Sequence, residues 1–134
     1  MGDAELRDRG DAVRSYRDLR GWQEAMSLAV DCYKLTQAFP KNELFGMTAQ
    51  IRRSSASIAA NIAEGHGRES TRAFIQFLRV AQGSLKELET LLLLAERVRI
   101  LSVESLEGVL TRCGILGRRV RHLIRSLQKK AETA

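Results

Sequence analysis

The sequence predicts an all-α protein, an up-down-up-down bundle of four helices, and three observations predict it. Apolar residues recur at spacings of three and four through four separate segments, the pattern of helices that bury one face. Only 5% of the 134 residues are aromatic and one is proline, a composition poor in strand formers. Between the apolar segments stand residues that start and stop helices: Asn42, Ser70 and Ser102 as N-caps, and Pro40 and Gly65-His66-Gly67 as stops.

Residues 1–15 are polar, mixed in charge and without period, and read as a flexible tail. Order is expected from Tyr16, with Asp18 as an N-cap. The first helix runs from about Leu19 to Ala38. Trp22, Met26, Ala29 and Tyr33 stack on one face, and Ala25, Leu28, Cys32, Leu35 and Phe39 form a second stripe beside it. Pro40 stops this helix, because it lacks an N–H and biases Phe39 out of the helical region.

The second helix is expected from Asn42 to Gly65, where glycine accepts the left-handed conformation at little cost. Its core stripe is Met47, Ile51, Ile58 and Ile62. The adjacent stripe of Gln50, Ser54, Ser57, Asn61 and Glu64 is polar but mostly short, which lets a neighbour approach. The third helix, Ser70 to about Arg97, keeps Phe74, Leu78, Ala81, Leu85, Leu88, Leu92 and Ala95 in a strict heptad. Arg79, Gln82, Lys86 and Glu89 mark its wet face, and Leu93 on that face hints at a subunit contact. The fourth helix opens at Ser102, with Leu101 stapled onto Leu106. Leu106, Val109, Leu110, Cys113, Leu116, Val120, Leu123, Ile124 and Leu127 form its core face. Gly108, Gly114 and Gly117, each costing about 1 kcal/mol in a helix interior, are read as points of close packing or bending. Short links make consecutive helices antiparallel. The expected organisation is a tail over 1–15, a bundle over 16–130 and a short C-terminal tail over 131–134.

A chain of this length fits one core. No stretch reaches the roughly 18 apolar residues that a membrane span needs, and the charged start MGDAELRDRG does not resemble a signal peptide. A soluble, cytoplasmic protein without membrane association is the expectation. Cys32 and Cys113 fall on apolar stripes and read as buried free thiols; with two histidines they match no zinc pattern, so no metal and no cofactor is expected. The net charge of +6 is concentrated at the end of the chain, where residues 102–134 contribute +4. From Arg112 to Lys130 there are seven bases (Arg112, Arg118, Arg119, Arg121, Arg125, Lys129 and Lys130) and no acid. A localised basic surface fits an anionic partner.

The stretches QIRRSSASIAANIAEGHGR (50–68), FIQFLRVAQGSLKELETLLLLA (74–95) and DLRGWQEAMSLAVDCYKLTQAFPKNE (18–43) closely resemble one family. Its members are four-helix-bundle proteins encoded in the intervening sequences of 23S ribosomal RNA genes. The resemblance covers about residues 16–127; the N-terminal tail and the run RRVRHLIRSLQKK (118–130) lie outside its motifs. It implies a left-handed bundle that assembles into a homopentameric ring. It also implies relatedness to the accessory proteins of diversity-generating retroelements, similar basic bundles that partner a reverse transcriptase and nucleic acid.

Within the motif residues, Arg53 and Asn61 are expected to meet Glu64 and Glu87 in a polar cluster that fixes helix register or a subunit joint. Gly83 and Ser84 remove bulk where the two helices would cross. No GxSxG, P-loop or GxGxxG is present, and the two histidines stand in a glycine turn and on the basic helix, so no enzyme is expected. Two readings stay open. In one, the bases of the last helix bind RNA or DNA through its phosphates, without aromatic stacking. In the other, a homo-oligomer scaffolds a protein partner, such as a reverse transcriptase, without touching nucleic acid.

Overall fold

The computed structural model describes residues 15–133 and, among them, four long helices and no strand. They are α1 (Arg20–Thr36), α2 (Ala49–His66), α3 (Thr71–Arg97) and α4 (Val103–Thr133). Paired residues fix their directions. Gly21 faces Ile62 and Thr36 meets Arg52 across α1 and α2, whereas Ser57 meets Ser84 across α2 and α3. Gly117 faces Leu85 across α3 and α4, and Arg119 and Arg112 meet Glu24 and Asp31 across α4 and α1. Where two or more pairs span one seam, one number rises as the other falls, so those neighbours run antiparallel and the bundle closes through the α1–α4 seam. The tail expected over 1–15 lies outside the described residues apart from Ser15.

The heptad of α3 is wholly buried from Phe74 to Ala95, and each Leu in it contributes roughly 1.5–3 kcal/mol by leaving water. On α1 it is the Ala25, Leu28 and Cys32 stripe that enters the core, continued by Phe39 just past the helix end, while Met26 and Tyr33 of the other stripe remain exposed. The caps expected for α3 and α4 form: Ser70 Oγ accepts from the Ala73 N–H at 2.9 Å, and Ser102 Oγ from the Ser105 N–H at 3.1 Å. Helix α4 has 31 residues against 17 for α1, and it continues to Thr133, past the boundary expected at 130.

Four local expectations are corrected. Asp18 does not cap α1. It closes a capping box on a 3₁₀ turn (Tyr16–Asp18), its carboxylate accepting from the Ser15 N–H at 3.2 Å. Asn42 does not open the second helix, because Gly46 (φ −110°, ψ −108°) breaks the helical path. A 3₁₀ turn (Lys41–Glu43) and a π turn (Leu44–Thr48) take up that stretch, and the Glu43 carboxylate accepts from the Met47 N–H at 3.1 Å. Gly65 is not a left-handed stop, since α2 runs through it to His66 and no glycine among the described residues has positive φ. A Cβ at 65 would lie 2.7 Å from Phe77 Cβ and 3.0 Å from Phe74 Cδ1, so this glycine serves the close approach of α3. His66 is half-buried, edge-on to Phe74 at 5.8 Å, and burial lowers its pKa. Gly83, finally, has open space where a Cβ would point, so it clears no helix crossing.

Among the described residues, the left-handed one is Arg99 (φ 67°), between α3 and α4. Ile100 N–H bonds to Ala95 O at 2.8 Å and Arg99 N–H to Glu96 O at 2.9 Å, the paired bonds of a Schellman ending. A side chain pays about 1 kcal/mol for that conformation. We therefore predict that Arg99→Gly raises stability by about 1 kcal/mol in urea unfolding. Gly108, with open space around it, gives the second expectation: Gly108→Ala stabilises by about 0.5–1 kcal/mol. Gly65→Ala, by contrast, destabilises by about 1–3 kcal/mol because its methyl group meets Phe74 and Phe77. Equal effects of the two alanines would contradict the assigned role of Gly65.

Candidate nucleic-acid interface

A helix repeats its facing direction nearly every seven residues, about 10.5 Å along its axis. Arg112 and Arg119 stand seven apart on α4, and Asp31 and Glu24 stand seven apart on α1. The antiparallel seam brings them together. Arg119 Nε donates to Glu24 Oε1 at 2.8 Å, and Arg112 pairs with Asp31 and donates to Ser27 Oγ at 2.8 Å. These two arginines, which the sequence places in the basic run, are therefore turned toward α1.

The other five point away from that seam. Arg118, Arg121, Arg125, Lys129 and Lys130 are exposed, and none makes an ion pair among the described residues. Helix α3 extends this surface. Arg72, Arg79 and Lys86 repeat every seven residues and line the groove between α3 and α4. A cleft of about 420 Å³ there brings Arg79, Lys86 and Arg121 around Gln82, where Gly83 and Gly117 carry no side chain. A second cleft of about 390 Å³ brings Arg72 and Arg79 to Gln128 and Glu132. Lys86 also holds Glu89 at 3.1 Å on the surface. Sequence reasoning assigned Arg79 and Lys86 to a solvated face and passed over Arg72. The 72/79/86 repeat was the available signal, but only the neighbouring α4 makes that line a groove.

The motif residues of α2 and α3 form a ladder at the bundle surface. Arg53 donates to Glu87 at 2.6 Å, and Ser57 and Ser84 share a hydrogen bond of 2.8 Å. Asn61 donates back to Ser57 O at 2.8 Å and to Ser57 Oγ at 3.1 Å. Glu64 is exposed and takes no partner among the described residues. Gly65, one position on, is the residue that faces α3, and this turns Glu64 outward. Arg53 and Glu87 keep 60% and 42% of their side-chain surface, so their pair contributes at most about 1 kcal/mol.

Burial pushes the Cys32 thiol up to about 11 and the Cys113 thiol up to about 12, so both are protonated and unreactive at neutral pH. Among the described residues, no three His, Cys, Asp or Glu side chains gather as a metal would require. No helix among them is long and apolar enough to cross a membrane.

Comparison with known proteins agrees with the fold. A crystal structure of a protein of unknown function from the S23 ribosomal protein family of Bacteroides thetaiotaomicron VPI-5482 superimposes with a TM-score of 0.70 at 27% identity. The match covers 78% of this chain and 97% of that one. No curated protein matches the chain. The model of the 23S rRNA-intervening sequence protein family matches residues 17–122, which span α1, α2, α3 and most of α4. By that match, the chain belongs to the 23S rRNA-intervening sequence protein family.

Proposed function

We propose that the protein is a non-catalytic helical bundle that holds nucleic acid, or a ribonucleoprotein, against α4 and the adjoining α3/α4 groove. One observation carries the reading. Glu24 and Asp31 of α1 are taken up by Arg119 and Arg112, whereas Arg118, Arg121, Arg125, Lys129 and Lys130 are exposed and without ion partners among the described residues. Guanidinium forks suit phosphate, and several of them on one flank recruit a polyanion by releasing its counterions. No aromatic residue stands among these bases, so recognition runs through the backbone phosphates with little choice of sequence.

Self-association belongs to the same proposal. The family resemblance implies a left-handed bundle in a homopentameric ring, and repeating a basic flank around a ring multiplies its hold on one strand. The setting in this reading is the cytoplasm. A second reading keeps the oligomer and replaces nucleic acid by a protein such as a reverse transcriptase. It is favoured by the open apolar groove along α1 and α2, which offers a surface unrelated to phosphate.

Salt dependence separates the two. The expected result is binding to a single-stranded RNA oligomer that weakens steeply with salt. In the triple variant Arg118→Ala, Arg121→Ala, Arg125→Ala the log–log slope should fall by about 2, at roughly 0.7 per lost phosphate contact. Arg119→Ala should leave that slope in place while lowering stability by up to about 1 kcal/mol. A protein indifferent to RNA at low salt contradicts the nucleic-acid reading and leaves the scaffold.

A further inference from the structure

The groove between α3 and α4 is not uniform along its length. In the cleft of about 420 Å³, Arg79, Lys86 and Arg121 surround Gln82, and no acid lines the space. The adjoining cleft of about 390 Å³ shares Arg79, adds Arg72, and includes an acid, Glu132. Arg79 and Arg121 are exposed and enter no ion pair among the described residues. Lys86 Nζ lies 3.1 Å from Glu89, yet 76% of its side chain is in solvent, so this is a weak surface contact that a stronger anion displaces.

The walls of the first cleft include Gly83 and Gly117, both inside helices, where glycine is weaker than alanine. Packing does not require Gly83, since nothing lies within 4 Å of where its Cβ would be. At Gly117 only Leu85 Cδ2 stands near, at 3.4 Å. What the two glycines share is the space they leave between three cations. Its volume lies in the range that takes one small ligand.

A nucleic-acid strand offers two kinds of phosphate. An internal diester carries one negative charge, whereas a terminal monoester carries roughly 1.5 to 2 at neutral pH and has three oxygens free to accept. Three cations around one acid-free cleft exceed the need of a diester and match the monoester, with guanidinium forks suited to paired oxygens. We infer that this cleft seats the terminal phosphate of a nucleic-acid strand, whose next nucleotides follow the groove past Arg79 toward Arg72. From Lys86 to Arg72 that path is about 21 Å along α3. The inference rests on the nucleic-acid reading above and adds an end to it. A free mononucleotide presents the same phosphate, but Arg79 lines both clefts, so the seat opens onto a further basic stretch that only a strand would use.

The test uses the full chain and measures how unlabelled single-stranded RNA oligomers displace an internally labelled strand. The competitors share one sequence and carry a 5′-phosphate, a 3′-phosphate or hydroxyls only at their ends; adenosine monophosphate is run beside them. Wild type should prefer one of the phosphorylated ends over the hydroxyl-ended strand by at least ~10-fold. Gly83→Leu fills the cleft without changing a charge, at a helical position that leucine favours, and should abolish that preference. Arg79→Gln carries the same expectation if Gly83→Leu loses helicity by circular dichroism. Arg118→Ala removes a charge outside the cleft, so it should weaken every oligomer and keep the preference. Equal binding of all ends by wild type, or a preference that survives Gly83→Leu, overturns the seat and leaves salt-sensitive nucleic-acid binding standing. Adenosine monophosphate competing as well as the phosphorylated strand overturns the strand as the occupant. Indifference to every oligomer overturns both readings.

Discussion

Leu28 and Cys32 of α1 and Cys113, Leu116 and Val120 of α4 are almost wholly removed from water. Their burial sets the rotation of α4 about its own axis. Once that core stripe is turned inward, the helical repeat leaves no freedom for the rest. Arg112 and Arg119 must flank the stripe on the α1 side, and Arg121, Arg125 and Lys129 must fall outside it. The basic face is therefore a consequence of where the apolar residues go, and the Glu24 and Asp31 pairs add register to an orientation already decided by packing. Exposed ion pairs alone, at up to about 1 kcal/mol each, would not hold a helix of this length in place.

The sequence made much of this legible, and the failures have physical reasons. The heptad of α3 was read residue by residue, because seven positions at helical spacing leave one solution and all seven are buried. Ser70 and Ser102 were read because an N-cap acts within three residues of itself. Gly65 was misjudged for the opposite reason. A glycine that terminates a helix and a glycine that admits a neighbouring Phe look alike in one dimension, and only Phe74 and Phe77, on the next helix, distinguish them. Asn42 is a good cap by residue type, but Gly46 lies four residues on and Glu43 offers a longer carboxylate that reaches Met47.

The candidate site was legible to a similar degree. Composition located the basic helix and its seven bases. What periodicity on one helix lacks is the identity of the facing residues. Arg112 and Arg119 are drawn to acids more than eighty positions earlier, and Arg72, Arg79 and Lys86 become a groove only beside α4. The two stripes of α1 were visible from the start; which of them turns inward was settled by packing.

The mismatch in length between α4 and α1 has a mechanical consequence. With Arg119 opposite Glu24, the first residue of α1 stands level with about position 123 of α4, and the final turns of α4 project past it. That overhang lies beside Arg72, Ile75 and Gln76 of α3 and has no length of α1 opposite it, so its opening free energy lies below that of the bundle's middle. Lys129 and Lys130 ride on it. In the proposed reading, a tip that frays and re-forms at little cost adapts its course to an uneven polyanion, while the stem bearing Arg118 and Arg121 keeps its place.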